Sequence, residues 1–241
     1  MRAARVVTTL VLTAHGSADP RSAANTRAVA GHLRRVAPEL DVRVAFCEQS
    51  TPNLRAVLGE VTDDTVVVPF LLASAYHARI DIPALITESG VSARQAAALG
   101  EDDRLLQVMG ERLTASGVSR FDSKLGVVVV AVGSSSPAAN ARTARIAGLL
   151  SSGTRWAGVE VGFATEPTPS VPESIERLRE RGATRLIIAP WFLAHGRITD
   201  RVASYARRAG IPMAEPLGAH RLVAAAVLDR FEETLTEQAV A

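Results

Sequence analysis

Two histidines and a glutamate hold comparable places along the chain: His15 in LVLTAHGS, Glu48 in AFCEQS and His77 in PFLLASAYH. Each stands at or just beyond a short run of Val, Ile, Leu, Ala or Phe, the pattern of a strand buried on both faces. In an open parallel sheet, ligands bind beyond the carboxyl ends of the strands. Three strands would therefore deliver two imidazoles and a carboxylate to one rim. Such a set suits borderline divalent ions (Fe2+, Co2+, Ni2+ or Zn2+). Its imidazoles also exchange protons near neutral pH. Any one of the three alone reads as a loop residue or a solvated charge. Their convergence on one rim is what points to a site.

The elements that must position them alternate along the chain. In the first half, strands are expected near 5–13, 41–47, 65–72 and 93–99, and helices near 20–36, 52–61, 82–90 and 102–117. In the second half, strands are expected near 125–132, 158–164, 185–192 and 211–215, and helices near 137–151, 169–181, 198–209 and 219–237. This alternation predicts an α/β fold with mostly parallel four-stranded sheets and helices on both faces. The apolar run from Val6 to Ala14 is short for a signal peptide and rich in valine, so it reads as the first strand. No stretch approaches the ~18 apolar residues of a membrane span.

The halves are copies. VLTAHGSADPRSAANTRAVAGHL at 11–33 aligns without a gap with VVVAVGSSSPAANARTARIAGLL at 128–150. Phe46 and Pro52 match Phe163 and Pro169, Leu99-Gly100 matches Leu217-Gly218, and Arg112 matches Arg230. Two tandem α/β units are expected, 1–118 and 124–241, with the site in the first. The second copy acts as an internal control. The counterparts of His15, Glu48 and His77 are Val132, Thr165 and Ile198, while the surrounding glycine, serine and proline residues persist. The polar set is thus separable from the scaffold, and copy two reads as a retired site. A one-residue shift would place Glu166 opposite Glu48, and His195 lies near the second rim without an assigned role.

Composition narrows the chemistry. The 241 residues carry a net charge of +2, with 47% hydrophobic and 22% charged residues. Neither half is a basic tail, so nucleic acid has little support. Nearly all the positive charge is arginine, with Lys124 the one lysine. Arginine suits carboxylate ligands. Cys47 is the single cysteine, so an internal disulfide, a CxxC zinc site and an iron–sulfur cluster held by this chain alone are excluded. A cytoplasmic setting fits. Gly16-Ser17 leads into no GK[ST] element and no GxGxxG occurs, which disfavours ATP and dinucleotides. A site that both handles a divalent metal and takes up protons fits metal insertion into a macrocycle.

At these residues the chain resembles the sirohydrochlorin chelatase family, the class II, ATP-independent tetrapyrrole chelatases, in its long two-copy form. The carrying elements are LVLTAHGSADPRS, AFCEQSTPNL and VVVPFLLASAYHARIDIP. The resemblance implies insertion of Fe2+ into sirohydrochlorin to give sirohaem, or of Co2+ on the cobalamin route, with the metal as substrate and no nucleotide. It implies that His15, Glu48 and His77 hold the metal and accept protons. It also implies that Ser17, Arg21, Arg79, Arg197 and Arg201 meet the carboxylates of the anionic tetrapyrrole, helped by the amino end of the helix starting near Pro20. The family often places a glutamate before the proline of the second element, where this chain has Thr51-Pro52. Iron and cobalt are not separable at this level. A non-catalytic metal or tetrapyrrole carrier and an inactive scaffold stay open as alternatives. Fused copies suggest a monomer with pseudo-twofold halves.

Overall fold

The computed structural model describes residues 8–61, 64–73, 77–165 and 168–239, with the backbone alone for 77, 78 and 237–239. The chain forms two compact units, residues 1–100 with 219–241, and residues 101–218.

In the first unit, β1 (Thr9–Ala14), β2 (Asp41–Phe46), β3 (Thr65–Pro69) and β4 (Arg94–Gln95) make a parallel sheet in the order β2-β1-β3-β4. Every residue of the central strand β1 is buried, as expected where helices cover both faces. Thr9 pairs with Asp41 on one side and with Thr65 on the other. Side chains alternate across the pleat. Val11, Ala45 and Val67 face α2 (Leu54–Leu58) and α3 (Ile82–Ser89), joining Leu54, Val57, Leu58 and Ile82 in one cluster. Leu10, Leu12, Val66 and Val68 point to the opposite face and are fully buried. On that face α1 (Pro20–Val36) and α9 (Arg221–Ala239) pack against each other, α1 on β1 and β2, α9 on β3. Each such side chain contributes roughly 1.5–3 kcal/mol by leaving water. A π-helical turn, His77–Asp81, leads directly into α3.

The second unit repeats this plan with β5 (Leu125–Ala131), β6 (Gly158–Phe163) and β7 (Arg185–Pro190), all parallel in the order β6-β5-β7. Val128, Val130 and Ile188 pack with α7 (Val171–Glu180) and α8 (Arg197–Ala209) through Val171, Ile175, Leu178, Val202 and Ala206. α4 (Asp103–Ala115) contacts β7 and α6 (Ile146–Ser151), while α5 (Pro137–Ala144) and α6 contact β6.

Several element boundaries depart from the sequence expectations. The fourth strand expected near 211–215 is a single bridge between Ile188 and Met213; Pro212 has no N–H to extend a ladder. The helix expected over 137–151 breaks at Arg145, whose N–H turns to Arg142 O at 3.0 Å, a tighter i to i−3 bond. The sequence copies and the compact units also do not coincide at their ends. α9 belongs to the first unit and α4 to the second, so the last helix of each copy packs with the other copy's sheet. The chain crosses between units just after Gly100 and Gly218, both in the left-handed region at φ 63° and 69°. Matched arginines hold the exchanged helices: Arg112 Nη2 donates to Leu217 O at 3.0 Å, and Arg230 Nη2 to Leu99 O at 3.4 Å. No described helix is long and apolar enough to cross a membrane.

Candidate metal-handling site

The site is built by carrying the β1–β2 pairing past the strand ends. Cys47 N donates to Ala14 O and Glu48 N to His15 O, both at 3.0 Å. Residues paired in this way lie side by side, and His15 Nε2 meets Glu48 Oε1 at 3.0 Å. The pair is accessible, with side chains 38% and 50% exposed.

Gly16 makes this approach possible. It sits at φ 96°, and a Cβ there would lie 1.7 Å from Glu48 O. No side chain fits between the two loops. The loops are then laced together. Ser50 Oγ accepts from Ser17 N at 3.1 Å and donates to Ser17 O at 2.9 Å, and Gln49 Oε1 accepts from Ala18 N at 3.2 Å. Gln49 Nε2 reaches Glu48 Oε1 at 3.3 Å.

The remaining expected residues fall out as follows. His77 heads the π-helical turn after β3; its side chain lies outside the described residues. Arg79, on the same turn, is exposed. Ser17 Oγ accepts from Asp19 N at 3.0 Å. Arg21 is gripped by Asp19, Nε to Oδ1 at 3.0 Å and Nη2 to Oδ2 at 2.5 Å. The same carboxylate accepts from Arg21 N and caps α1, so the amino end of that helix already holds an anionic partner from within the chain. Arg197 opens α8 and is exposed. Arg201 Nη2 reaches Ala164 O at 3.5 Å, just beyond β6. Both belong to the second unit.

Asp81 ends the HARID turn within VVVPFLLASAYHARIDIP, and the sequence pattern gives it no role. It occupies the N-cap position of α3 without capping it, because the chain enters α3 already helical. The next residue, Ile82, packs in the cluster that Cys47 borders. Burial, then the Asp81 and Glu48 carboxylates, push the Cys47 thiol from 9.0 up to about 11. A second carboxylate, Asp81, therefore acts on Cys47, the residue before Glu48, and the thiol stays protonated at neutral pH.

Copy two keeps the frame and drops the chemistry. Gly133 sits at φ 94°, Ala164 N donates to Ala131 O at 2.8 Å, and Thr165 N donates to Val132 O at 3.1 Å. These bonds equate Thr165, not Glu166, with Glu48; Glu166 itself lies outside the described residues. The Thr165 hydroxyl donates to Val132 O at 2.6 Å, and Ile198, the counterpart of His77, packs on the core. His195 is not isolated: its Nε2 meets Glu215 Oε2 at 2.9 Å.

The family model CbiX matches twice, over residues 9–116 and 126–234. A sirohydrochlorin cobaltochelatase from Priestia megaterium is 29% identical over 200 residues, covering 78% of this chain and 65% of that protein. A sirohydrochlorin ferrochelatase from the same organism is 25% identical over 182 residues, covering 70% of this chain and 68% of its own. The fold is shared with SirB from Bacillus subtilis with Fe3+, at a TM-score of 0.82, 22% identity, and coverage of 95% of this chain and 96% of that one.

Proposed function

Because the chain belongs to the CbiX family, we propose that it is a sirohydrochlorin chelatase, which inserts a divalent metal into sirohydrochlorin without ATP. The observation that carries this reading is the His15–Glu48 contact at 3.0 Å on the carboxyl rim of the first sheet, set against a second copy that keeps the same loops with Val132 and Thr165 in their place.

Insertion exchanges one M2+ for the two pyrrole N–H protons of the ring, so two protons must leave as the metal enters. His15 and His77 supply the imidazoles that accept them. Glu48, in contact with His15, holds the imidazolium that results and passes the proton to solvent, to which both side chains are open. The same donors hold the metal before transfer. Few protein ligands with open positions bind it loosely enough for the ring nitrogens to win it. Arg79 on the His77 turn serves the ring carboxylates, as do Ser17 and Arg21 at the start of α1, where a substrate carboxylate would have to replace Asp19 on Arg21.

The reading takes Fe2+ as the metal. Cobalt is the second reading, favoured by the name of the 29%-identical relative and by a donor set that accepts either ion. The chain acts as a monomer, since both copies and their exchanged helices are in one polypeptide. Anaerobic incubation of sirohydrochlorin with each metal tests the assignment. Wild-type protein accelerates the spectral conversion over the metal alone, and the faster metal identifies the preference. Binding of the tetrapyrrole without acceleration by either metal would make the protein a carrier.

A further inference from the structure

We infer that His195 and Glu215 form a second, weak divalent-metal site, in the unit that lacks the His15, Glu48 and His77 set. Two ligands that each sit about 2.1 Å from a metal, at right angles to one another, are about 3.0 Å apart. His195 Nε2 and Glu215 Oε2 stand at 2.9 Å, close to the 3.0 Å of His15 and Glu48. A metal can therefore replace the proton of this contact with the N···O separation unchanged, the imidazole turning so that its lone pair meets the ion.

The backbone around the pair is preorganised. Gly196 N donates to Thr199 Oγ1 at 2.6 Å, and Thr199 Oγ1 donates back to Gly196 O at 2.8 Å, fixing the residue after His195. Around Glu215, Ala214 N is bound to Ile188 O at 2.9 Å, and Leu217 N and Gly218 N to Phe192 O and Leu193 O, both at 3.0 Å. The segment carrying Glu215 is thus tied, on both sides of it, to the residues that lead up to His195. Such anchoring separates it from ordinary surface ion pairs such as Arg179–Glu176, whose guanidinium cannot ligate a metal.

The side chains are 45% and 70% exposed, and no third His, Cys, Asp or Glu joins them among the described residues. Water fills the other positions, so the ion exchanges readily. Imidazole with carboxylate selects Fe2+, Co2+, Ni2+ or Zn2+ over Ca2+ or Mg2+. Arg197, two residues on, is exposed, so solvent and salt screen its charge.

The test is a calorimetric titration of the full-length chain with Co2+. In a His15→Ala/His77→Ala variant, one equivalent of weak binding remains. Adding His195→Ala removes it, and adding Glu215→Gln instead weakens it about tenfold or more. Identical Co2+ binding by the double variant and by the double variant carrying His195→Ala would overturn the inference, as would no binding by the double variant. The replaced side chains at 195 and 215 are exposed, so folding is retained. No turnover is read, so this outcome is independent of whether the chain is a chelatase.

Discussion

Glu48 is joined to His15 twice: its backbone N–H donates to the His15 carbonyl at 3.0 Å, and its carboxylate meets the His15 imidazole at 3.0 Å. The first bond fixes the second. Side-chain contact follows from backbone pairing that runs one residue past β1 and two past β2, so the chemistry is set by the end of the sheet rather than by flexible loops. The same backbone bond in copy two, between Thr165 and Val132, shows that the frame needs neither functional side chain.

Gly16→Ala should disrupt this frame. A methyl group would collide with Glu48 O and force a left-handed φ on a residue with a Cβ. The expected cost is at least about 2 kcal/mol, with loss of metal binding at His15. Urea unfolding and Co2+ titration check both. Wild-type stability in this variant would mean the two loops can part freely.

Cys47 should be unreactive at neutral pH. A thiol raised from 9.0 to about 11 has roughly 100-fold less thiolate than an ordinary one, and alkylation by iodoacetamide should slow in proportion. Asp81→Asn removes one of the charges responsible and should speed the reaction, whereas an unchanged rate would place Asp81 away from the site. The sign for stability follows from the raised value. The folded chain retains its proton between pH 9 and 11 while the unfolded chain loses it, so stability falls as pH rises through that window. Cys47→Ser should flatten the fall.

Arg112→Met and Arg230→Met should each lower stability by about 1.5–3 kcal/mol, the range for a hydrogen bond from a charged donor. Each guanidinium reaches the carbonyl of the leucine before a crossover glycine. Urea midpoints that do not move in either variant would show that the exchanged helices are held by apolar packing alone.

The repeat, the parallel sheets and the strand-end placement of His15 and Glu48 were legible because they rest on local pattern. Buried parallel strands carry uninterrupted apolar runs, and Pro20, Pro137 and the Ser170–Glu173 capping box mark helix starts. What escaped depends on contacts remote in sequence. The exchange of α4 and α9 leaves no local trace beyond Gly100 and Gly218. Glu215 comes beside His195 only through the backbone bonds that follow Ile188. Asp81 was hidden by its position, since an aspartate before a helix reads as a cap, and here the chain is already helical when it arrives.

The most direct test of the central claim is anaerobic metal insertion into sirohydrochlorin by the wild-type chain, His15→Ala and Glu48→Gln, with Fe2+ and Co2+ in parallel. The account predicts acceleration by the wild type with at least one metal, loss of about 100-fold or more in His15→Ala, and a smaller loss in Glu48→Gln. Conversion at the wild-type rate in both variants would contradict it.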